Sequence, residues 1–453
     1  MSLGPRFVQL LAGLQPSQVG KPARDALKSR CIDYLGSLAG GVGQGALAGI
    51  VLRNLADRKC ASGESAIIGT AYRTNRAEAA LVNGITGHAL ELDDGHRRAY
   101  GHPAVVVFSA LFPLAEALQS SGEDFLTAAV VGYEVFVRLG QACNPGTLRR
   151  GFHTTGVVGT LASAMAAARL MKLDPERMLN ALGVAGLSAS GLCITFHSGG
   201  TLKPYNSGRA AFNGVTAAQM AAIGAEGAPD ILEGKDGFFH AYSGQEIDEG
   251  IVLAPLVSPL GVESSYVKFY PSCRYTHAPI DAALALRSRV DPDAVREIVV
   301  TTYPTAIYLA AKKTLPTDLA TARFNIGFAV ALALVKGQPR IDDFHPDSAN
   351  DPKLQALFGK IRFVEDPSFD SAENNVRGAA MEIVTDTDRV SVNVPLPVGE
   401  PENPAPAELY AAKFDDLASP VWNSQRREAI LNAVGKLEQL EDMRELTRLL
   451  AAS

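Results

Sequence analysis

Six titratable side chains crowd into GHALELDDGHRRAYGHP: His88, Glu91, Asp93, Asp94, His96 and His102. Imidazoles and carboxylates at that density can supply general acids and bases, or metal ligands. The plainer alternative is an acidic loop carrying helix caps. Metal is the weaker use, because no H-x-x-x-H pair with a third partner occurs and the Gly and Arg residues give the segment a loop character.

Three further segments interrupt apolar sequence with polar chemistry. In GFHTTGVVG, His153 precedes two threonines and a long apolar run, which puts its imidazole at a helix N-terminus. There the imidazolium is disfavoured and anions bind well. In FHSGGTLKPYNSGRAAFNG, Lys203 stands near Gly199, Gly200 and Gly208, with Arg209 close behind. Glycines let backbone or ligand approach, and a lysine in apolar surroundings loses proton affinity. In VKFYPSCRYTHAPIDAA, Arg274, Tyr275, Thr276 and His277 lead into a helix. Cys273 is a nucleophile only if a base depresses its pKa; burial as a small hydrophobe is the simpler reading.

Composition narrows the chemistry. The 453 residues carry a net charge of −6 and are 47% hydrophobic and 20% charged. That balance supports a sizeable core, and no whole-molecule positive field exists to attract nucleic acid or anionic lipid. An anionic substrate would need a local basic pocket. Five scattered cysteines without a C-x-x-C pair fit a reducing, cytoplasmic setting. Neither a signal-peptide pattern nor a membrane-length apolar stretch is evident. No G-x-S-x-G elbow, phosphate-loop motif or dinucleotide fingerprint accompanies the polar segments, so acyl transfer, ATP chemistry and hydride transfer lose weight.

The elements that must position these residues divide the chain. Residues 1–260 are rich in Ala, Leu, Val and Gly with little strand alternation, and read as a helical domain with helices over 21–38, 104–118, 124–139 and 157–171. The Gly-rich LAGGVGQGALAG, 38–49, reads as a flexible turn between helices. Residues 261–399 form an α+β domain: strands over 295–303, 380–385 and 389–394, the last two a hairpin, with helices over 278–287 and 326–335. A Pro-rich boundary follows, and 400–453, with helices over 407–417 and 425–450, packs back on the first domain. A chain this long exceeds one comfortable core.

In order and interval, HALELDDGH…GHP, GFHTTGVVGTLASAMAA, TLKPYNSGRAAFNG and KFYPSCRYTHAPIDAA resemble the MmgE/PrpD family over about residues 10–445. The resemblance implies a mainly α fold, with a large all-helical domain and a smaller α+β lid domain. It also implies a homodimer, no metal or organic cofactor, and proton transfer beside a carboxylate of a small polycarboxylate. Carried over by position, the acid/base residues fall on His102, His153 and Lys203, the lid histidine on His277, and a lid tyrosine on Tyr308. Glu91 and Asp93 join the substrate-binding set, and Arg209 and Arg274 are assigned to substrate carboxylates. Where dehydratases and decarboxylases of the family usually carry a hydroxyl, this sequence has Gly95, and His102-Pro103 is followed by Ala104 rather than a polar residue. Those departures resemble the iminodisuccinate epimerase branch. Epimerisation is therefore the expectation, with a 2-methylcitrate-type dehydratase and a non-catalytic polycarboxylate-binding protein as alternatives.

Overall fold

The computed structural model describes residues 2–60, 62–196, 201–370 and 376–452. Gly199 and Gly200 lie outside them. The N-terminal half is built from α1 (Leu3–Ala12), α2 (Lys21–Gln44), α3 (Ala46–Asp57), α4 (Arg76–Gly87), α5 (Pro103–Leu118), α6 (Gly122–Cys143), the short α7 (Gly146–Arg149), α8 (Thr154–Leu170), α9 (Pro175–Ser188) and α10 (Lys203–Ala222). A two-residue antiparallel pair, β1 (Ser65–Ala66) and β2 (Arg73–Thr74), sits before α4. Apolar side chains fall on nearly every face of α5 and α8, so both are central: every residue of α8 except Arg169 is buried. α10 crosses α4 and α8 closely through small residues.

The Gly-rich segment is not a turn. Helix α2 runs through it to Gln44 and breaks only at Gly45, where α3 departs at 73°. Gly40 and Gly41 let Leu90, Leu417 and the Thr86 carbonyl approach the helix, so packing explains the glycines that composition assigned to flexibility.

After the short α11 (Phe238–Tyr242) and α12 (Glu249–Val252), the architecture changes. A four-stranded sheet runs in the order β4 (Ile361–Glu365), β3 (Val295–Thr302), β5 (Ala379–Thr385), β6 (Arg389–Val394). β5 and β6 form the antiparallel hairpin read from the sequence. β4, which the sequence reading missed, pairs parallel to β3. Buried Ile298, Val300, Met381 and Ile383 share a second core with α13 (His277–Arg287) and α16 (Ile326–Lys336). Short helices α14 (Pro304–Ala310), α15 (Leu319–Arg323) and α17 (Pro352–Phe358) complete this part.

The chain ends in α18 (Ala407–Ala418), α19 (Ser424–Gly435) and α20 (Arg444–Leu450). The single helix expected over 425–450 is therefore interrupted between α19 and α20. Phe414, Trp422, Ile430 and Leu446 belong to the first core, against α2 and its neighbours. Among the described residues, no single helix is long and apolar enough to cross a membrane.

Candidate active site

Three helix N-termini converge on one cavity. His102 is the N-cap of α5, His153 the N-cap of α8, and Lys203 the first residue of α10. The partial positive charge at each end favours an anion between them. The cavity is narrow, about 70 Å³, and is lined by these three with Glu91, Tyr100, Phe196, Lys268, Cys273, Arg274, Tyr275, Phe324 and Arg377, among others.

Hydrogen bonds fix the histidine tautomers. His88 donates Nδ1–H to both oxygens of Asp93 at 2.8 Å, and its Nε2 accepts from Lys203 Nζ at 2.9 Å. His102 donates Nδ1–H to the Asp94 carbonyl at 2.6 Å, which leaves its Nε2 as a lone pair. His153 is the reverse: its Nδ1 accepts from Asn206 Nδ2 at 3.0 Å, so the proton sits on Nε2. One imidazole thus offers an acceptor and another a donor. Burial, reinforced by Lys268 beside His102 and by Lys203 beside His153, holds both imidazoles well below the usual histidine range.

The acidic residues support the bases rather than meeting a ligand. Asp93 is fully buried between His88 and His102; burial alone would raise its carboxyl, but the two imidazoles outweigh this and hold it down. Asp94 accepts from the Ala104 amide at 2.9 Å and from Tyr133 at 2.9 Å, capping α5 while its carbonyl orients His102. Burial pushes Asp94 up to about 7. Glu91, with φ of +58°, forms an ion pair with Lys203, and its carbonyl accepts from Lys268 Nζ at 2.9 Å. Burial opposes its charge, yet Lys203, His88 and Lys268 keep it well below the carboxylate range. Lys203 is therefore not the isolated cation its sequence surroundings suggested: Glu91 pairs with it, and the rings of Phe196 and Phe324 flank it at 5.6 Å.

Four of the assigned residues are placed differently. His277 is buried behind the cavity wall. Its Nδ1 accepts from Arg274 at 3.0 Å and its Nε2–H donates to the Ser272 carbonyl at 3.3 Å, so both nitrogens are engaged and it acts as a positioning residue. Cys273 faces the cavity instead, its thiol pushed up by burial and so kept protonated. Arg274 reaches the wall but is held by Glu400 through Nε at 3.1 Å and Nη2 at 2.7 Å, a carboxylate whose other oxygen pairs with Arg97 at 3.1 Å, so its fork is engaged by the protein. Arg209 is exposed on α10, six residues past Lys203 and turned from the cavity. Tyr308, 78% exposed on α14, lines an outer cleft that shares Tyr100, Leu148, Phe196 and Leu309 with the cavity, not the cavity itself.

Sequence reasoning left out Lys268 and Arg377 and gave His88 no role of its own. His88 was visible in the acidic segment, but its role depends on Asp93 and Lys203 meeting it from two sides. His88, Glu91 and His102 bring ligand atoms within 4.8 Å of one another, a grouping that could hold a metal ion. The Lys203 ammonium already bonds His88 and Glu91 there, and His88 Nδ1 is committed to Asp93, so these residues do not fit a divalent ion.

Gly95 also has a packing cause. It exchanges backbone hydrogen bonds with Tyr266 at 3.0 and 2.8 Å, and a Cβ there would overlap the Tyr266 phenol. Gly95 thus fits a packing role independent of the reaction, and the missing hydroxyl by itself does not separate the candidate reactions.

The N-terminal domain of the MmgE/PrpD family matches residues 6–249 and its C-terminal domain residues 270–439. Cis-aconitate decarboxylase of Aspergillus terreus is 28% identical over 412 residues, covering 86% of this chain and 84% of the relative. The Mus musculus cis-aconitate decarboxylase is 30% identical over 395 residues, covering 84% and 79%. 2-Methylcitrate dehydratase of Cupriavidus necator is 25% identical over 405 residues, covering 83% and 82%. These relatives are lyases.

Proposed function

The chain belongs to the MmgE/PrpD family, and from that premise we propose that it is a lyase of a small di- or tricarboxylate, cis-aconitate being the first candidate. The carrying observation is the division of labour across the cavity: His102, His153 and Lys203 all come from the helical side, whereas Lys268, Arg274, Tyr275 and Arg377 come from residues 266–377. Acid/base groups on one side suit chemistry at one face of a carbon, in which the opposite wall holds carboxylates.

In a decarboxylation the bond from carbon to the departing carboxylate breaks and CO₂ leaves. The electron pair stays on carbon beside a second carboxylate, spread by the nearby cations. That carbon then takes a proton from His153 Nε2–H or the Lys203 ammonium. In a dehydration, His102 Nε2 accepts the proton from carbon, and the same donors protonate the departing hydroxyl. A polyanion entering this cavity raises the proton affinity of His102 and His153, which offsets their depressed values in the free protein.

Epimerisation, favoured by the sequence, needs a second proton-transfer group on the far side. On that side stand Lys268, bonded to the Glu91 carbonyl, and the Cys273 thiol, kept protonated by burial. The relatives that act as decarboxylases and dehydratases also favour the lyase reading over it.

The test is a proton NMR screen of small polycarboxylates, cis-aconitate first, in deuterated water. Loss of CO₂ or water with deuterium entering the product at one face is expected. Exchange with racemisation and no loss of mass would establish the epimerase instead. Tight binding with neither would identify a binding protein.

A further inference from the structure

Two guanidinium groups reach the cavity, and they are not equivalent. Arg274 is spent on Glu400. Arg377, 4% exposed, has no carboxylate hydrogen-bonded to it among the described residues; its Nη2 donates to the Arg97 carbonyl at 2.5 Å, and Asp370 lies near enough to interact with its charge. Its guanidinium lies 4.7 Å from the Tyr100 ring centre and 5.4 Å from that of Tyr275. Those faces hold it in place without cancelling its charge.

The backbone tells the same story. Arg377 has φ of +51° and Tyr100 beneath it +54°; with Glu91 they are three of the seven described non-glycine residues at positive φ, and all three line this cavity. Strain of that kind persists where the surrounding structure enforces it, and it gathers at ligand sites. A buried cation with no bonded carboxylate among the described residues, held in a strained backbone, is costly to the empty protein, whereas a carboxylate arriving in its plane would form a bidentate, charge-assisted pair.

We propose that Arg377 is the specificity-determining residue of the site: it receives the substrate carboxylate farthest from the reacting carbon and so fixes which end of the molecule meets His102 and Lys203. This rests on the polycarboxylate reading above. Arginine's planar fork is required there, because a lysine supplies a point charge without the two parallel donors.

The test uses the full chain and three unreactive probes measured by calorimetry: tricarballylate, and the dicarboxylates glutarate and methylsuccinate, each lacking one of its carboxylates. Arg377→Met should weaken tricarballylate roughly 100-fold and Arg377→Lys about tenfold. At least one dicarboxylate, the one lacking the group Arg377 holds, should bind wild type and R377M within about threefold of each other. Without ligand, R377M should melt no lower than wild type, since it removes a buried charge to which no described carboxylate is bonded; a structural arginine would lower it. If R377M melts lower, R377K carries the comparison. Equal losses for all three probes, or none, overturn the proposal while leaving the polycarboxylate reading intact. Failure of the wild type to bind any probe overturns both.

Discussion

At the scale of single residues, the structure separates side chains that the sequence could only group. His102 and Arg209 were both assigned to the site, yet one ends a buried helix with its Nε2 lone pair open and the other lies in solvent. Replacing His102 by Gln removes the proton acceptor, and turnover should fall between about 10² and 10⁴-fold, the usual worth of a placed acid or base. Arg209→Gln should change neither turnover nor KM by more than about twofold. Steady-state kinetics on the substrate found in the NMR screen compares the two, and equal losses would sink the assignment. His102, His153 and Lys203 were legible because each stands where apolar text is interrupted just before a helix. Arg274 misled because Glu400, which engages its fork, lies 126 residues away. Arg377 carried no local signal, since its meaning comes from Tyr100 and Tyr275.

At the scale of elements, the site depends on how closely α10 lies on α4. The chain achieves this with glycine on both sides: a Cβ at Gly84 would lie 2.6 Å from the Gly208 Cα, and one at Gly208 would overlap the Leu81 carbonyl. Backbone cannot yield as a flexible side chain does. Gly208→Ala should push α10 outward, costing about 1–3 kcal/mol as overpacking does. Because Lys203 starts the same helix, turnover should fall with it; denaturant unfolding and kinetics on one sample measure both. A variant with lowered stability but full turnover would show that Lys203 is positioned independently of the crossing. Elements whose periodicity is local, such as α5, α8 and the β5–β6 hairpin, were legible in the sequence. β4 was not, since IRFVE gains its identity from pairing with β3, and the Gly-rich part of α2 was misread because its glycines answer to neighbours far along the chain.

At the scale of the whole molecule, burying so many imidazoles ties stability to pH. Burial drives His96 down to about 3, and holds His102, His153 and His277 well below the ordinary histidine value. In the unfolded chain each titrates near 6.5, so below that pH the unfolded chain binds protons that the folded one refuses. Stability that is fully present above about 6.5 is therefore lost as the pH falls. Asp94 works in the other direction. Its folded carboxyl, raised to about 7, keeps a proton that the unfolded chain releases near 4, so its contribution fades as the pH rises toward 7. Burial raises Asp33, Asp281 and Asp370 too, and these act with Asp94 against the imidazoles, mainly toward pH 4. Between about pH 6.5 and 5 the unfolded chain still binds more protons than the folded one, and each net proton is worth about 1.4 kcal/mol per pH unit. Below about pH 4, protonation of Glu91 and Asp93, whose folded values are depressed, adds to the loss. The melting temperature should accordingly drop steeply from pH 6.5 to 5, and adding a bound polycarboxylate should shift the protein upward at every pH. A melting temperature that stays level across that interval would mean that the four imidazoles carry their charge in the folded protein, and the acceptor role of His102 would go with it.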